Sequence, residues 1–522
     1  MSNNQMGPAQ SLYMRLDRFR LPFLERARDA ALFTIPSLYP PAGYSGSTKL
    51  YNPFQSIGAR GVNNIASRLV LTQLPSTRRF FRLILTEMME QLITKNGGDK
   101  SIWEEALGKV ELQVERRIEA LGARLHAFSV FRYLVVGGNV CVFTNKLGTK
   151  VYTLDQYVVR RDPNGDVLDL VVCEGISEDM IPDSVRPLLG EDSEKDEGAK
   201  DTDCEKDYEL YTHVYRDGKR MKSYQEICGH RVPGSEGSYK LDACPWMALR
   251  WVARSGEDYS RSLCDDYMGD LLACESLSRS IIRSAAVAAK TVFLCNPNGQ
   301  TSPEDLRDAE EGGFVAGMEG DVTALGVEKT SDFQVARGVL EEINTRLSYA
   351  FLLNSAVRRQ GERVTAEEIR FMASELEDAL GGTYSTLSSE YQLPLVRIVM
   401  DIMTRDGSLP ALPDKSIRPT IITGIDALGR AHELARLDAF LGGALQTFGP
   451  EVLRFINMPE YLRRRATGLD TDPKGLVKEQ QQVDAETQAA RAAEMQQHVA
   501  PAVVKAVSDN RIAASQADAQ TQ

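Results

Sequence analysis

Residues 259–290 read YSRSLCDDYMGDLLACESLSRSIIRSAAVAAK and contain no proline. Apolar and small side chains recur in this stretch at near-heptad spacing, which predicts one continuous helix with an apolar stripe along it. The stripe consists of Tyr267, Leu271, Cys274, Ile281, Ala285 and Ala288. Such a helix would be about 48 Å long, because each residue adds about 1.5 Å. The pattern fits two structures: one buried helix of a large domain, or one arm of a helical stalk.

A second stretch of the same kind favours the stalk. Residues 333–353 carry their own apolar stripe, and Asp332 stands where a helix N-cap is expected. That stripe consists of Ala336, Leu340, Ile343, Leu347 and Ala350. A single pair of helices cannot bury both stripes completely, so we expect neighbouring subunits to complete the core. Four side chains are predicted to carry this packing: Leu271, Ile281, Ile343 and Leu347.

A compact insert separates the two predicted helices, from Thr291 to Ser331. Its sequence predicts three strands, TVFLC, FVAG and DVTALGV, and a short helix that begins at Ser302-Pro303 and ends at Gly312-Gly313. Over residues 291–332 there are nine acidic residues and two basic ones. We expect either a negative surface that binds a basic partner or a merely solvated face. The candidate partner surface, named the acidic trio here, consists of Glu304, Asp308 and Glu311.

The residues on the N-terminal side of the stalk predict a mixed α+β body that is mainly helical. Apolar residues have helical spacing through 11–36, 55–74 and 103–126, and after Gly138 the spacing changes to that of strands. The predicted strands are NVCVFT, KVYTLDQYVVR, DVLDLVVCE, YELYTHVYRD and RMKSYQEIC, and CPWMALRWVAR closes this section. An acidic run over 189–209 has almost no apolar content, which predicts a solvated, mobile loop.

The residues on the C-terminal side predict further helices. Thr365 and Glu368 fit a capping box, Pro394 predicts a kink, and LPALPDKSIRP (409–419) predicts a linker. The last 45 residues contain twelve alanines and nine glutamines, which lack the bulk for a core.

Composition and charge limit the class of protein. The chain has 522 residues, a formal net charge of −12 and 43% hydrophobic residues. This predicts about three to four domains with sizeable cores. No apolar stretch is long enough to span a bilayer, and the polar start predicts a protein made in the cytosol. Eight cysteines without a CxxC pair predict neither a disulfide framework nor a zinc site.

No group of residues predicts catalysis. Residues 424–431 have the glycine spacing of a phosphate-binding loop but lack its lysine and its Ser/Thr. His432 and Glu433 begin a zinc-helix motif, but Arg436 stands where the second histidine belongs. The sequence therefore predicts no enzyme, no metal and no cofactor.

Five stretches are similar to one protein family. They are TIPSLYP (34–40), GARGVNNIASRLVL (58–71), VVGGNV (135–140), LNSAVRRQGERVTAEEIRFMASELEDALGG (353–382) and YQLPLVR (391–397). In order and spacing they resemble the portal, or head-to-tail connector, proteins of short-tailed, autographivirus-type bacteriophages. The resemblance runs from about residue 11 to about residue 428 and leaves the chain beyond about residue 470 uncovered.

The resemblance implies a portal-type fold that assembles as a ring. It divides the chain into an N-terminal wing (1–258), stem helix 1 (259–290), a small α/β clip (291–332), stem helix 2 (333–351), a channel loop (352–364), a C-terminal part of the wing (365–419), a helical crown (420–477) and a tail (478–522). The strongly acidic clip departs from the family, so its partner surfaces are expected to differ.

The resemblance also implies a function in the virion. A ring of about twelve subunits at one capsid vertex would form a DNA channel through which the genome is packaged and later ejected. The implied partners are double-stranded DNA of any sequence, the terminase packaging motor, the tail adaptor, the major capsid and scaffolding proteins, and internal core proteins.

The channel loop acts as a valve on DNA in the family. The corresponding residues of this chain, called the channel-loop arginines below, are Arg358, Arg359 and Arg363. Arg337 and Arg346 are further candidates for the channel wall. An ordinary exposed turn, with its arginines paired to nearby glutamates, is the alternative.

Two other classes of protein fit parts of the sequence. A helical adaptor or internal virion protein would account for the Ala/Gln-rich end of the chain. A packaging enzyme would need the phosphate-binding loop that the sequence lacks.

Overall fold

The structure is a computed structural model of the chain. It describes residues 6–75, 79–95, 100–188, 208–288, 292–309, 314–325, 330–353, 375–376, 379–410, 417–421, 438–468 and 488–489. The chain divides into two compact units, Met1–Gly424 and Ile425–Gln522. Three segments of the sequence analysis lie wholly or mainly outside the described residues: the acidic run, the channel-loop arginines and the Ala/Gln-rich end.

Five helices open the first unit. They are α1 (Pro8–Leu32), α2 (Ile57–Gln73), α3 (Glu87–Lys95), α4 (Lys100–Ala120) and α5 (Ala123–Gly137). Helix α2 places Val62, Ile65 and Leu69 in the core with no exposure, as its helical spacing predicts. The prediction of one helix over 103–126 is wrong. Gly122 adopts φ +68° between α4 and α5, a left-handed conformation that glycine permits at little cost.

The strands of the first unit form two larger antiparallel sheets and two strand pairs. In chain order they are β1 (Phe81–Leu85), β2 (Asn139–Asn145), β3 (Gly148–Tyr152), β4 (Tyr157–Arg161), β5 (Val167–Ile176), β6 (Tyr208–Asp217), β7 (Arg220–Ile227), β8 (His230–Arg231), β9 (Gly237–Lys240), β10 (Trp246–Arg250), β11 (Val292–Cys295), β12 (Val322–Leu325) and β13 (Ile417–Ile421). One larger sheet has the order β10-β2-β3. The other has the order β4-β5-β6-β7-β8, with β9 also paired to β7.

The stretch KVYTLDQYVVR (150–160) is not one strand, as predicted, but the end of β3 and most of β4. Between them the backbone turns, and the buried Arg20 of α1 satisfies the carbonyls of the turn. Its Nη1 donates to the oxygens of Leu154 at 3.1 Å and Asp155 at 2.5 Å. Because Arg20 donates to these carbonyls, the chain leaves the sheet here without leaving them buried and unpaired.

A buried charge network lies on the six-stranded sheet. Asp169 of β5 is 8% exposed and accepts from His213 Nε2 at 3.1 Å and from Arg160 Nε at 2.8 Å. Burial alone would raise the pKa of Asp169, but these hydrogen bonds outweigh it and hold the pKa below its usual value. The ionised carboxylate therefore stabilises the sheet.

The predicted linker at 409–419 is wrong at its end, because residues 417–421 form β13. This strand pairs antiparallel with β1, with Phe81 opposite Ile421 and Leu85 opposite Ile417. Strand β1 buries Phe81, Leu83 and Leu85 on one face. Pro419 fits because the sheet has only two strands, so part of its backbone lies on an edge.

The further described helices of the first unit are, in chain order, α6 (Leu263–Asp266), α7 (Met268–Ala288), α8 (Pro303–Asp308), α9 (Thr330–Ala350), α10 (Gly382–Leu387) and α11 (Leu393–Arg405). A π-helical turn covers Ser388–Gln392 between α10 and α11. Pro394 cannot donate a backbone hydrogen bond, and the widened turn lies directly before it.

The second unit contains short helices, as its sequence predicts. Residues 438–448 are helical, and α12 spans Met458–Gly468. The Tyr461 hydroxyl of α12 donates to Asp438 Oδ1 at 2.6 Å, and Arg465 pairs with the same carboxylate at 3.3 Å. Among the described residues, no helix is long and apolar enough to cross a membrane.

Candidate functional site

The first stem helix is shorter than predicted. Helix α7 begins at Met268, after the four-residue α6, and residues 259–262 are not helical. Ser262 starts α6 with a capping box, in which its hydroxyl accepts from Asp265 N at 3.0 Å. Tyr259 instead lies in the core, where its hydroxyl accepts from Val159 N at 2.9 Å. The helix cannot extend back to residue 259 because this tyrosine belongs to the body of the unit.

The second stem helix begins earlier than predicted. Helix α9 starts at Thr330, so Asp332 lies inside the helix and is not its N-cap. The two stem helices pack against each other. Leu271, Ile343 and Leu347 are buried, and Ile281 is half-buried. Asn344 of α9 accepts from the Cys274 thiol of α7 at 3.4 Å.

The same two helices also present apolar side chains to solvent. Ile282 of α7 is 49% exposed and Val339 of α9 is 44% exposed. The full set consists of Leu272, Ile282, Val335, Val339 and Tyr349, called the outer stem stripe below. A soluble monomer rarely leaves so many large apolar side chains uncovered on two adjacent helices, so these side chains are suited to contact another protein surface.

Both candidate wall arginines are paired within the chain. Arg346 Nη2 of α9 lies 2.9 Å from Asp270 Oδ1 of α7. Arg337 Nε lies 3.0 Å from Glu341 Oε1, one turn further along α9. Each guanidinium is therefore matched by a carboxylate, and the described part of the stem carries less positive charge than its arginines alone indicate.

The clip forms as predicted in part. Strands β11 and β12 pair antiparallel, and Ser302 caps α8 by accepting from Asp305 N at 3.4 Å. The prediction of a strand at FVAG is wrong, because residues 314–317 have no regular structure. Helix α8 ends at Asp308, before the predicted glycines, which lie outside the described residues.

The acids of the clip do not all have the same role. Glu304 and Asp308 of the acidic trio are exposed, and Asp308 also contacts the neighbouring Arg307 at 3.0 Å. Glu311 lies outside the described residues. Asp321 instead holds a turn, because it accepts from the Thr301 hydroxyl at 2.9 Å and from Gln300 N at 2.9 Å. The hydrogen bond from Thr301 lowers the pKa of Asp321, as expected for a carboxylate that a turn stabilises.

Two attachments of the stem to the body escaped the sequence analysis. Glu275 of α7 is 3% exposed and accepts from the Tyr51 hydroxyl at 2.5 Å and from Phe54 N at 2.9 Å. At the end of α9, Asn64 Nδ2 of α2 donates to the carbonyl oxygens of Phe351 at 2.9 Å and Leu352 at 3.0 Å. The only sign of these attachments in the sequence was one polar residue within an apolar helical pattern, Glu275 in α7 and Asn64 in α2.

Within the described ranges, no cluster of three or more His, Cys, Asp or Glu side chains could hold a metal ion. The channel-loop arginines lie outside those ranges.

Comparison with known proteins identifies relatives over most of the chain. The family model of the bacteriophage head to tail connecting protein matches residues 7–477. The portal protein of Escherichia phage T7 is 39% identical over 489 residues, covering 91% of this chain and 89% of the relative. The portal protein of Enterobacteria phage T3 is 38% identical over 478 residues, covering 90% and 88%.

A solved structure with weaker similarity is the neck of an empty gene transfer agent (GTA) particle computed with C6 symmetry. It is 11% identical, covers 74% of this chain and 86% of that chain, and has a TM-score of 0.38. The sequence relatives therefore carry the assignment, and they do not favour the adaptor or packaging-enzyme alternatives.

Proposed function

The chain belongs to the family of bacteriophage head to tail connecting proteins, and on that premise we propose how its stem and clip serve a portal. The function of the chain is that of a phage portal protein, a structural component of the virion at the head–tail connection. Proteins of this kind form ring oligomers there. The proposal concerns the parts of this chain that build the ring and handle the DNA.

The outer stem stripe is the single observation that carries the proposal. Each chain buries Leu271 and Leu347 of its stem helices with its own residues, yet leaves Ile282 and Val339 half-exposed. In our proposal the stem of one subunit covers this stripe on the next subunit, and about twelve such contacts close the ring.

The charge of the chain suits a conduit for double-stranded DNA of any sequence. A net charge of −12 repeated around a ring repels phosphates and limits adhesion, because non-specific affinity grows with each phosphate neutralised. Pairing of Arg337 and Arg346 with acids keeps the stem from gripping DNA. We assign the local grip to the channel-loop arginines, which would contact phosphates without reading bases.

The remaining partners follow from the order of events at a portal. We propose that the chain, made in the host cytoplasm, assembles with the major capsid and scaffolding proteins and with internal core proteins. The terminase packaging motor and then the tail adaptor would bind the ring, with the acidic trio as part of the surface they meet.

Images of negatively stained, purified protein test the ring directly. We expect closed rings with about twelve subunits. Single particles the size of one chain at micromolar concentration would contradict the proposal.

Replacement of the three channel-loop arginines by alanine tests the grip on DNA. We expect intact rings whose particles lose packaged DNA or pass it more slowly, because each ring would lose three cations per subunit beside the phosphates. A matched control removes three exposed arginines from α1, namely Arg15, Arg18 and Arg26. If particles with either triple change package, retain and eject DNA alike, the channel loop does not grip DNA.

A further inference from the structure

Helix α2 contacts the residues just before and just after the segment 354–374. We propose that α2 is a clamp that fixes the two ends of this segment from one helical face, with Asn64 holding the end of α9 and Arg68 holding Glu375. The inference deepens the proposed function, and it rests on the assignment of the channel loop to residues 352–364.

The first contact of the clamp ends helix α9. The last carbonyls of a helix have no partner within it, and Asn64 satisfies two of them, at Phe351 and Leu352. Leu353 N bonds back to Ser348 O at 2.8 Å, and Leu352 adopts φ +53°. This left-handed stop usually has glycine, so a leucine is held in it only by strong neighbouring contacts.

Close packing supplies such a contact. Phe351 is fully buried, and a Cβ atom at Gly61 of α2 would lie 2.4 Å from its ring atom Cγ. Only glycine lets the two helices approach this closely, so the end of α9 lies directly on the backbone of α2.

The second contact holds the other end of the segment. Arg68 is 8% exposed, and its Nη1 lies 2.7 Å from Glu375 Oε2. A charge-assisted hydrogen bond in such a buried place is stronger than one on the surface. Asn64 and Arg68 are four residues apart, so they lie on the same face of α2, about one turn from each other.

Helix α2 is suited to bear a load. Val62, Ile65 and Leu69 fix it in the largest core of the first unit, and Gln73 at its end donates to Tyr384 O at 3.4 Å. Force that DNA applies to the channel loop would thus pass into α2 and the core. Without the clamp, the same force would unwind the last turn of α9.

A pair of neighbouring asparagines allows a matched test. Asn63 and Asn64 lie next to each other in α2, and only Asn63 is exposed. Replacement of either by alanine changes helix propensity equally, so a difference between Asn63→Ala and Asn64→Ala reports the contacts of Asn64. Glu375→Gln removes the charge at the second contact, and Glu375→Asp keeps it.

Two measurements on assembled rings and filled particles decide the matter. Asn64→Ala should speed hydrogen exchange at the amides of Leu352 and Leu353 by roughly tenfold, whereas Asn63→Ala leaves it unchanged. Particles with Asn64→Ala or Glu375→Gln should lose packaged DNA to added nuclease several times faster than those with Asn63→Ala. Glu375→Asp should restore most of the retention, which a merely structural defect would not predict.

The outcomes separate the clamp from the portal function. The clamp is refuted if two results hold together: Asn64→Ala rings exchange hydrogen at the same rate as Asn63→Ala rings, and Asn64→Ala and Glu375→Gln particles retain DNA as well as Asn63→Ala particles. The portal function would then still stand. If neither the unchanged chain nor Asn63→Ala forms rings, the proposed function fails, and this inference fails with it.

Discussion

Introduction of two negative charges into the outer stem stripe should prevent ring assembly without unfolding the chain. The variant combines Ile282→Asp and Val339→Asp. These side chains are 49% and 44% exposed in one chain, so about half of each is buried there. Loss of that buried half lowers the stability of one chain by about 1 kcal/mol per site, which a domain with a sizeable core can tolerate. Ile343, although on the predicted stripe, is unsuitable because it is 4% exposed and a charge there would disrupt the stem of one chain.

The expected loss at each subunit contact follows from these exposures. Full burial of a valine or isoleucine gains about 1.5–3 kcal/mol, so the exposed halves contribute roughly 2 kcal/mol together. Burial of two carboxylates without partners costs a further 2–6 kcal/mol or so. A total of roughly 4–8 kcal/mol lowers the association constant of each contact by a factor of about a thousand or more.

Light scattering coupled to size-exclusion chromatography measures the outcome. The double variant should elute as a folded monomer with the helix content of the unchanged chain and a thermal midpoint that is only slightly lower. The control Ser280→Asp with Gln334→Asp puts the same charges on exposed polar positions of the same helices and should form rings. Rings of unchanged mass from the double variant would refute the assignment of the outer stem stripe to the subunit contact.

Two further predictions concern charge. Replacement of the acidic trio by Gln and Asn should weaken the binding of a purified motor or tail adaptor and reduce the dependence of that binding on salt, as measured by titration calorimetry. Binding that is unchanged and independent of salt would favour a merely solvated face. The folded-state pKa of Asp169 is held below its unfolded value, so its stabilisation is present above about pH 4 and is lost as the pH falls through the folded-state pKa. Asp169→Asn should therefore destabilise the chain by about 2 kcal/mol at pH 7, and the difference should shrink towards about pH 2; a difference that does not depend on pH in denaturant titrations would contradict this reasoning.

The spacing of apolar residues was sufficient to predict burial in parts of the stem helices. The spacing of Leu271, Ile343 and Leu347 predicted apolar stripes, and the structure buries all three side chains. Helix boundaries were less predictable, because Tyr259 has a helical sequence around it yet lies in the core of the body. The break between α4 and α5 at Gly122 could likewise not be predicted, since a glycine inside an amphipathic pattern is compatible with a continuous helix.

Long-range partners account for what the sequence analysis missed. Nothing near β13 identifies it as a strand, because its partner β1 lies more than three hundred residues earlier in the chain. Asn64 and Arg68 look like ordinary polar residues of a surface helix until their partners at Leu352 and Glu375 are known. The clip acids were identified by count, but a count cannot separate Asp321, which holds a turn, from acids that face solvent.

The pairing of β1 with β13 can form only late in the synthesis of the chain. Leu85 leaves the ribosome long before Ile417 exists, and at about 5–20 residues per second the interval is roughly 20–60 s. During that interval Phe81 and Leu83 lack the strand that covers this edge, and both stem helices are made before it ends. A chain truncated between residues 350 and 417 thus has a complete stem on an unfinished body. Degradation or chaperone capture through this open edge would keep such fragments out of the ring, where a single defective subunit would spoil the whole assembly.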